Sequence, residues 1–154
     1  MKKRIFLAGL AMVTVIGLTG CGSKSVDVNV QELADALKSG VTYKDDLSTI
    51  DLDTAQMIFN FKDADITEAA FYESTGATAE EIVVIKCAEE ADAGVIEDSL
   101  KARVEEQKES FTDYVPAELE KLNAAVISRQ GNCAVLSVSD EPDKARAIID
   151  SYLK

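Results

Sequence analysis

The chain has 154 residues, with 28 acidic against 16 basic side chains, a net charge of −12, and neither histidine nor tryptophan. That balance excludes nucleic acid as a partner, because binding it needs positive charge facing the phosphates. The missing histidine removes the commonest general base and the commonest transition-metal ligand together.

The chain opens with Lys2, Lys3 and Arg4, followed by the uncharged run Ile5 to Leu18. Fourteen residues are too few for a spanning helix, which needs about 20, and the layout is that of a secretory signal peptide. Leu18-Thr19-Gly20 leads directly into Cys21. This resembles the bacterial lipobox, with Thr19 where Ala or Ser is more usual. The resemblance implies that the Cys21 thiol receives a diacylglyceryl group and that the Gly20–Cys21 bond is then cut. Loss of residues 1–20 leaves 134 residues, enough for one domain with its own core. Loss of the three basic residues takes the charge from −12 to −15. Two acyl chains, at about 0.8 kcal/mol per buried methylene, anchor stably, whereas anionic headgroups repel such a surface. The expected partner is therefore the membrane, reached through the N-terminal lipid at the extracytoplasmic face. The acidic surface serves solubility, or else attracts a cationic peptide, polyamine or metal ion. With Cys21 consumed by lipid, Cys87 and Cys133 remain, both in apolar stretches. A bridge is open to an exported protein, but two buried thiols are the favoured reading.

Residues 21–29 form a lipidated cysteine and a short tether. Val30, Leu33, Ala34 and Leu37 predict a helix over 30–38, capped by Asn29 and stopped by Gly40. Residues 47–61 are mixed, with Asp51 or Asp53 capping a short helix through Ala55, Met57 and Ile58. Phe71 and Tyr72 favour a strand over 66–74. The β-branched run Ile82-Val83-Val84-Ile85 predicts a central strand within 79–87. Ile96, Leu100, Val104, Gln107 and Phe111 draw one stripe along a long helix, 91–114, and Glu97 and Lys101 stand at favourable i,i+4 spacing. Pro116 starts a shorter helix with Leu119 and Leu122 inward. Two apolar runs, 124–129 and 133–139, flank Gly131 as a hairpin. A last helix, 143–153, follows Ser139-Asp140-Glu141-Pro142, with Ala145, Ile148, Ile149 and Tyr152 inward. The expectation is one α+β domain over residues 30–154: a four-stranded, mainly antiparallel sheet of two hairpins, with the long amphipathic helix and the C-terminal helix packed on it.

The stretch Tyr72-Glu73-Ser74-Thr75-Gly76-Ala77-Thr78-Ala79-Glu80-Glu81-Ile82-Val83-Val84-Ile85-Lys86 is followed by Leu100-Lys101-Ala102-Arg103, Gln107, Phe111 to Pro116, and the Gly131 hairpin. In this order they resemble the Gram-positive bacterial lipoproteins grouped as Domain of Unknown Function 4358. The resemblance covers roughly residues 30–153. It implies an address and a fold, and brings no activity.

Candidate chemistry is sparse. Asp51-Leu52-Asp53 and Asp63-Ala64-Asp65 look like EF-hand openings, but that loop needs glycine sixth and glutamate twelfth. Those places hold Gln56 and Lys62 in one, Glu68 and Ser74 in the other, so cap and turn carboxylates are the expected role and no metal site is assigned. No G-x-S-x-G elbow, phosphate loop or dinucleotide fingerprint occurs, and no cofactor is expected. Carboxylate or Lys chemistry in a small hydrolase is the alternative class. Arg103 and Gln107, at i,i+4 on the edge of the long helix's stripe, could hold a carboxylate from a ligand or partner. The preferred alternative is that Arg103 pairs with Glu81 or another acid to fix the helix on the sheet. Tyr72 and Tyr114 complete the candidate contact residues, with core rings and surface hydroxyls as their simpler role. The composite expectation is a lipid-anchored interaction module, docking a protein partner or a small solute at the cell surface, and not an enzyme.

Overall fold

A computed structural model describes residues 25–154. The signal segment, the Gly20–Cys21 junction and the lipidation site at Cys21 lie outside the described residues.

Helix α1 (Val30–Gly40) begins where Asn29 Oδ1 accepts from the Glu32 amide at 3.1 Å. Its four inward residues, Val30, Leu33, Ala34 and Leu37, are all buried. Gly40 ends it against α5 (Pro142–Tyr152). A Cβ at Gly40 would stand 2.7 Å from Ile148 Cδ1, so the tip of that side chain would have to shift to admit one. Asp51 caps α2 (Leu52–Phe59), accepting from the Thr54 amide at 2.8 Å. Helix α2 closes on Asn60 in the left-handed conformation (φ 49°), a role Asn tolerates.

Strands β1 (Ser48–Thr49), β2 (Ile66–Glu73), β3 (Glu81–Cys87), β4 (Val126–Gln130) and β5 (Cys133–Val138) make one antiparallel sheet in the order β1-β2-β3-β5-β4. The sheet has five strands where the sequence predicts four. The extra one is two exposed residues opposite Tyr72 and Glu73, too short to carry any alternation. Strand β3 is central, as its β-branched run predicts. The chain from Pro116 forms a 3₁₀ turn (Pro116–Glu118) and then the short α4 (Leu119–Asn123) instead of one continuous helix.

Helices cover both faces. Ala70, Tyr72, Ile82, Val84, Cys133 and Val135 pack toward α1 and α5. Phe71, Val83, Ile85, Ala134, Leu136 and Val138 pack toward α2, α4 and the long α3 (Glu90–Tyr114). At 25 residues α3 runs about 37 Å, and all five residues of its predicted stripe are buried. Phe59, Phe61 and Phe71 stack beneath it at centroid distances of 5.3–6.2 Å. Among the described residues, no helix is long and apolar enough to cross a membrane.

Packing reaches into the stretch expected as tether. Val26 and Val28 are buried with α1. The Val26 amide donates to Asn132 Oδ1 at 2.9 Å, and Asn132 Nδ2 in turn donates to the Cys87 carbonyl at 2.8 Å.

Cys87 and Cys133 are unbridged and buried, and they belong to opposite faces of the sheet. Burial pushes the Cys87 thiol up to about 11 and the Cys133 thiol up to about 12. Neither forms thiolate near neutrality. In the Cys21→Ala protein at pH 7.5, a thiol reagent should label neither cysteine while the fold persists and both once guanidinium unfolds it. Prompt native labelling of two thiols would contradict this packing.

Candidate functional site

The sheet carries two buried ionic groups at the same end, where the loop of residues 74–80 joins β2 to β3. Glu80 and Glu81 follow one another there, and both are wholly buried. A charge taken from water must find compensating partners, and each finds a different set.

Glu81 lies directly opposite Glu73 in the β2–β3 ladder. Its Oε2 accepts from Gln107 Nε2 at 2.8 Å and from Arg103 Nε and Nη2, each at 3.3 Å. Arg103 Nη2 is also 3.9 Å from Glu73 Oε2, and the guanidinium lies over the Phe59 ring at 5.3 Å. Helix periodicity supplies the clamp, because residues 103 and 107 are one turn apart and meet the same carboxylate. Burial raises the pKa of Glu73 to about 9; the neighbouring Glu81 charge adds to this and Arg103 opposes it. Burial raises Glu81 as well, against the pull of Arg103 and hydrogen bonds from Glu73 and Gln107. Burial thus favours a proton on the Glu73–Glu81 pair, while the Arg103 guanidinium favours its charge. The Oε1 atoms of Glu73, Glu81 and Gln107 have no hydrogen-bond partner.

Two buried carboxyls side by side with raised pKa values resemble acid–base machinery in kind. Chemistry would also need access. Glu81 is closed from solvent, and the cavity beside Arg103, lined by Phe59, Asn60, Ser99 and Glu106 among others, is about 100 Å³. Small-molecule sites are typically about 300–1,000 Å³.

Glu80 makes the second group. Lys121 Nζ donates to Glu80 Oε1 at 2.8 Å and lies 3.0 Å from Glu118 Oε2. Glu80 also accepts from the Lys44 and Asp45 amides at 3.0–3.1 Å and from Thr78 Oγ1 at 3.1 Å. Glu118 accepts from the Ala79 amide at 3.0 Å. Burial works against the Glu80 charge, but Lys121 and the two amides outweigh it and hold its pKa below the ordinary value. Burial likewise opposes the Lys121 charge, and Glu80 and Glu118 reverse that, raising its pKa. This group ties the loop after α1, the β3 entrance and α4 into one joint.

Arg103 and Gln107 thus come together on Glu81, as the preferred helix-fixing role anticipates. The two tyrosines lie elsewhere. Tyr72 faces α1, where its hydroxyl donates to Asp35 and accepts from Gln31 at 3.1 Å, with Lys38 Nζ 4.4 Å from the ring centre. Tyr114 is 68% exposed at the end of α3, tilted against Phe111. Sequence reasoning missed Glu73, Glu80, Glu118 and Lys121. The one available signal was an acidic pair abutting the apolar entrance of a central strand. Among the described residues, no group of three or more Cys, Asp or Glu side chains is placed to hold a metal ion.

A family model described as Domain of unknown function (DUF4358) matches residues 40–139. Both ionic groups fall within that span. Neither the curated proteins nor the solved structures gave a match to the chain.

Proposed function

The chain belongs to the family described as Domain of unknown function (DUF4358), and from that premise we propose that it is an exported, lipid-anchored interaction module at the outer membrane face. The observation that carries this is the order of basic start, uncharged run and Leu18-Thr19-Gly20-Cys21. The interior adds support, because its buried charges are spent on one another. Lys121 is shared between Glu80 and Glu118, Arg103 and Gln107 are spent on Glu81, and three cavities among the described residues measure about 100–210 Å³. Such a fold offers surface for a partner more readily than a cleft for a substrate.

The alternative class, a small hydrolase, draws its support from the carboxyl pair of Glu73 and Glu81. The closure of Glu81 from solvent counts against it.

Two measurements test the proposal. Intact mass of the membrane-purified protein should begin at Cys21 and include diacylglycerol; a chain beginning at Met1, or one free in the medium, would refute the anchor. A pull-down from membranes should recover a protein partner with the lipidated form and lose it with Cys21→Ala. Recovery of none by either form, together with a thermal shift from a small metabolite, would overturn the interaction role.

A further inference from the structure

We infer that the domain stands on the membrane by one pole of its sheet, the β4–β5 turn with the Cys87 end of β3, with the opposite pole facing outward. This rests on the lipid anchor proposed above and adds an orientation to it. The argument starts at Asn132, which is almost fully buried in that turn. Its side chain accepts from the Val26 amide and donates to the Cys87 carbonyl, and its own carbonyl accepts from the Cys87 amide at 2.8 Å. Val26 and Val28 are packed beside it in the core. The chain is therefore fixed to the domain from Val26 onward, and the last residue before that point, Ser25, is exposed.

Four steps separate Ser25 from Cys21. At most about 3.6 Å each, they span no more than about 14 Å. A lipid on Cys21 thus holds the Asn132 pole within that distance of the headgroups. The antiparallel β3–β5 register places Lys86 against Cys133 at this pole and Glu81 against Val138 at the other. Five further residues of β3, at about 3.3 Å each, carry the loop of residues 74–80 about 17 Å farther from the anchor. A tether this short still lets the body tilt, and charge decides against tilting. With a mature charge of −15, an anionic bilayer repels the body, so it stands away from the surface. The outward pole holds that loop, the Glu80–Lys121 joint and the exposed Tyr114 ring.

The test uses lipidated protein purified from membranes, carrying a fluorophore at Gln130→Cys or Ala77→Cys. Both positions are exposed, Gln130 as the last residue of β4 beside the turn and Ala77 in the loop after β2, and each variant is checked by its melting curve. Vesicles of phosphatidylcholine and phosphatidylglycerol contain a nitroxide-tailed lipid as a short-range quencher. Both lipidated forms should float with the vesicles, with quenching several-fold stronger at 130 than at 77. Flotation with equal quenching, with stronger quenching at 77, or with quenching at neither site overturns the orientation alone. Failure to float, or the same quenching pattern from a Cys21→Ala background, overturns the anchor itself.

Discussion

Replacing Lys121 with methionine should cost the domain about 3–5 kcal/mol, the penalty of leaving buried charge without its partner. At roughly 4 °C per kcal/mol for a domain of this size, the melting temperature should fall by about 12–20 °C. The reasoning is one of charge and not of shape. Methionine keeps most of the apolar stem, so little packing is lost, while Glu80 and Glu118 are left facing each other where water does not reach. Lys44 gives the comparison. It pairs with Asp140 at 3.1 Å with both side chains well exposed, and Lys44→Met should barely move the melt. Pairing Lys121→Met with Glu80→Gln should cost less than the two single changes added, because each removes the other's unpaired charge. The pH range also follows. Glu80 has a lowered pKa, so its contribution is present above the ordinary 4.5 and is lost as pH falls through the folded value. Lys121 has a raised pKa, so its contribution is present below the ordinary 10.5 and is lost only as pH rises through the folded value. Thermal melts followed by circular dichroism at neutral pH check the variants, and melts of the wild type from about pH 2.5 to about pH 11.5 check the pH range. A Lys121→Met protein that melts with the wild type would mean that the joint does not hold the fold.

How much of this was legible in the sequence depends on whether the partner lies nearby along the chain. Strand β3 and the stripe of α3 were readable because apolar periodicity is a local property. Asn29 was readable as a cap for the same reason, and Asp51 as one of two candidates beside Asp53. Strand β1 was not, since two residues carry no period. The Arg103–Glu81 pair was accessible as one of several acids that could fix the helix. Glu73 was not, because it joins them only through the β2–β3 register, and β2 is apolar enough on both sides that its alternation does not declare a register. Phe71 and Tyr72 show the same gap: neighbours in sequence, they pack on opposite faces. Lys121 and Glu80 are 41 residues apart, and a lysine on a short helix looks like any solvated one until the fold buries it. The buried charges were the least readable part, because their burial is a property of the assembled tertiary structure.

Glu73→Gln should make the domain more stable in alkali and flatten its response to pH. The folded pKa of Glu73 is about 9 against an ordinary 4.5, so between those values the native state keeps a proton that the unfolded chain has released. The folded state then binds more protons, and stability falls as pH rises across that window, by at most about 1.4 kcal/mol per pH unit for one group. Below the window both states are protonated and the term vanishes. Glutamine removes the titration and keeps the shape, and its amide offers a donor toward Glu81, its partner in the β2–β3 ladder. The two proteins should therefore have similar urea midpoints near pH 5 and diverge steadily above it, the variant being more stable by roughly 2–4 kcal/mol at pH 8.5. Some slope should remain in the variant, since Glu81 is also raised by burial. Urea unfolding at four or five pH values reads this directly. Parallel curves for the two proteins would mean that Glu73 is already ionised in the fold and that the carboxyl pair shares no proton. A variant less stable at every pH would mean that its amide is no donor to Glu81.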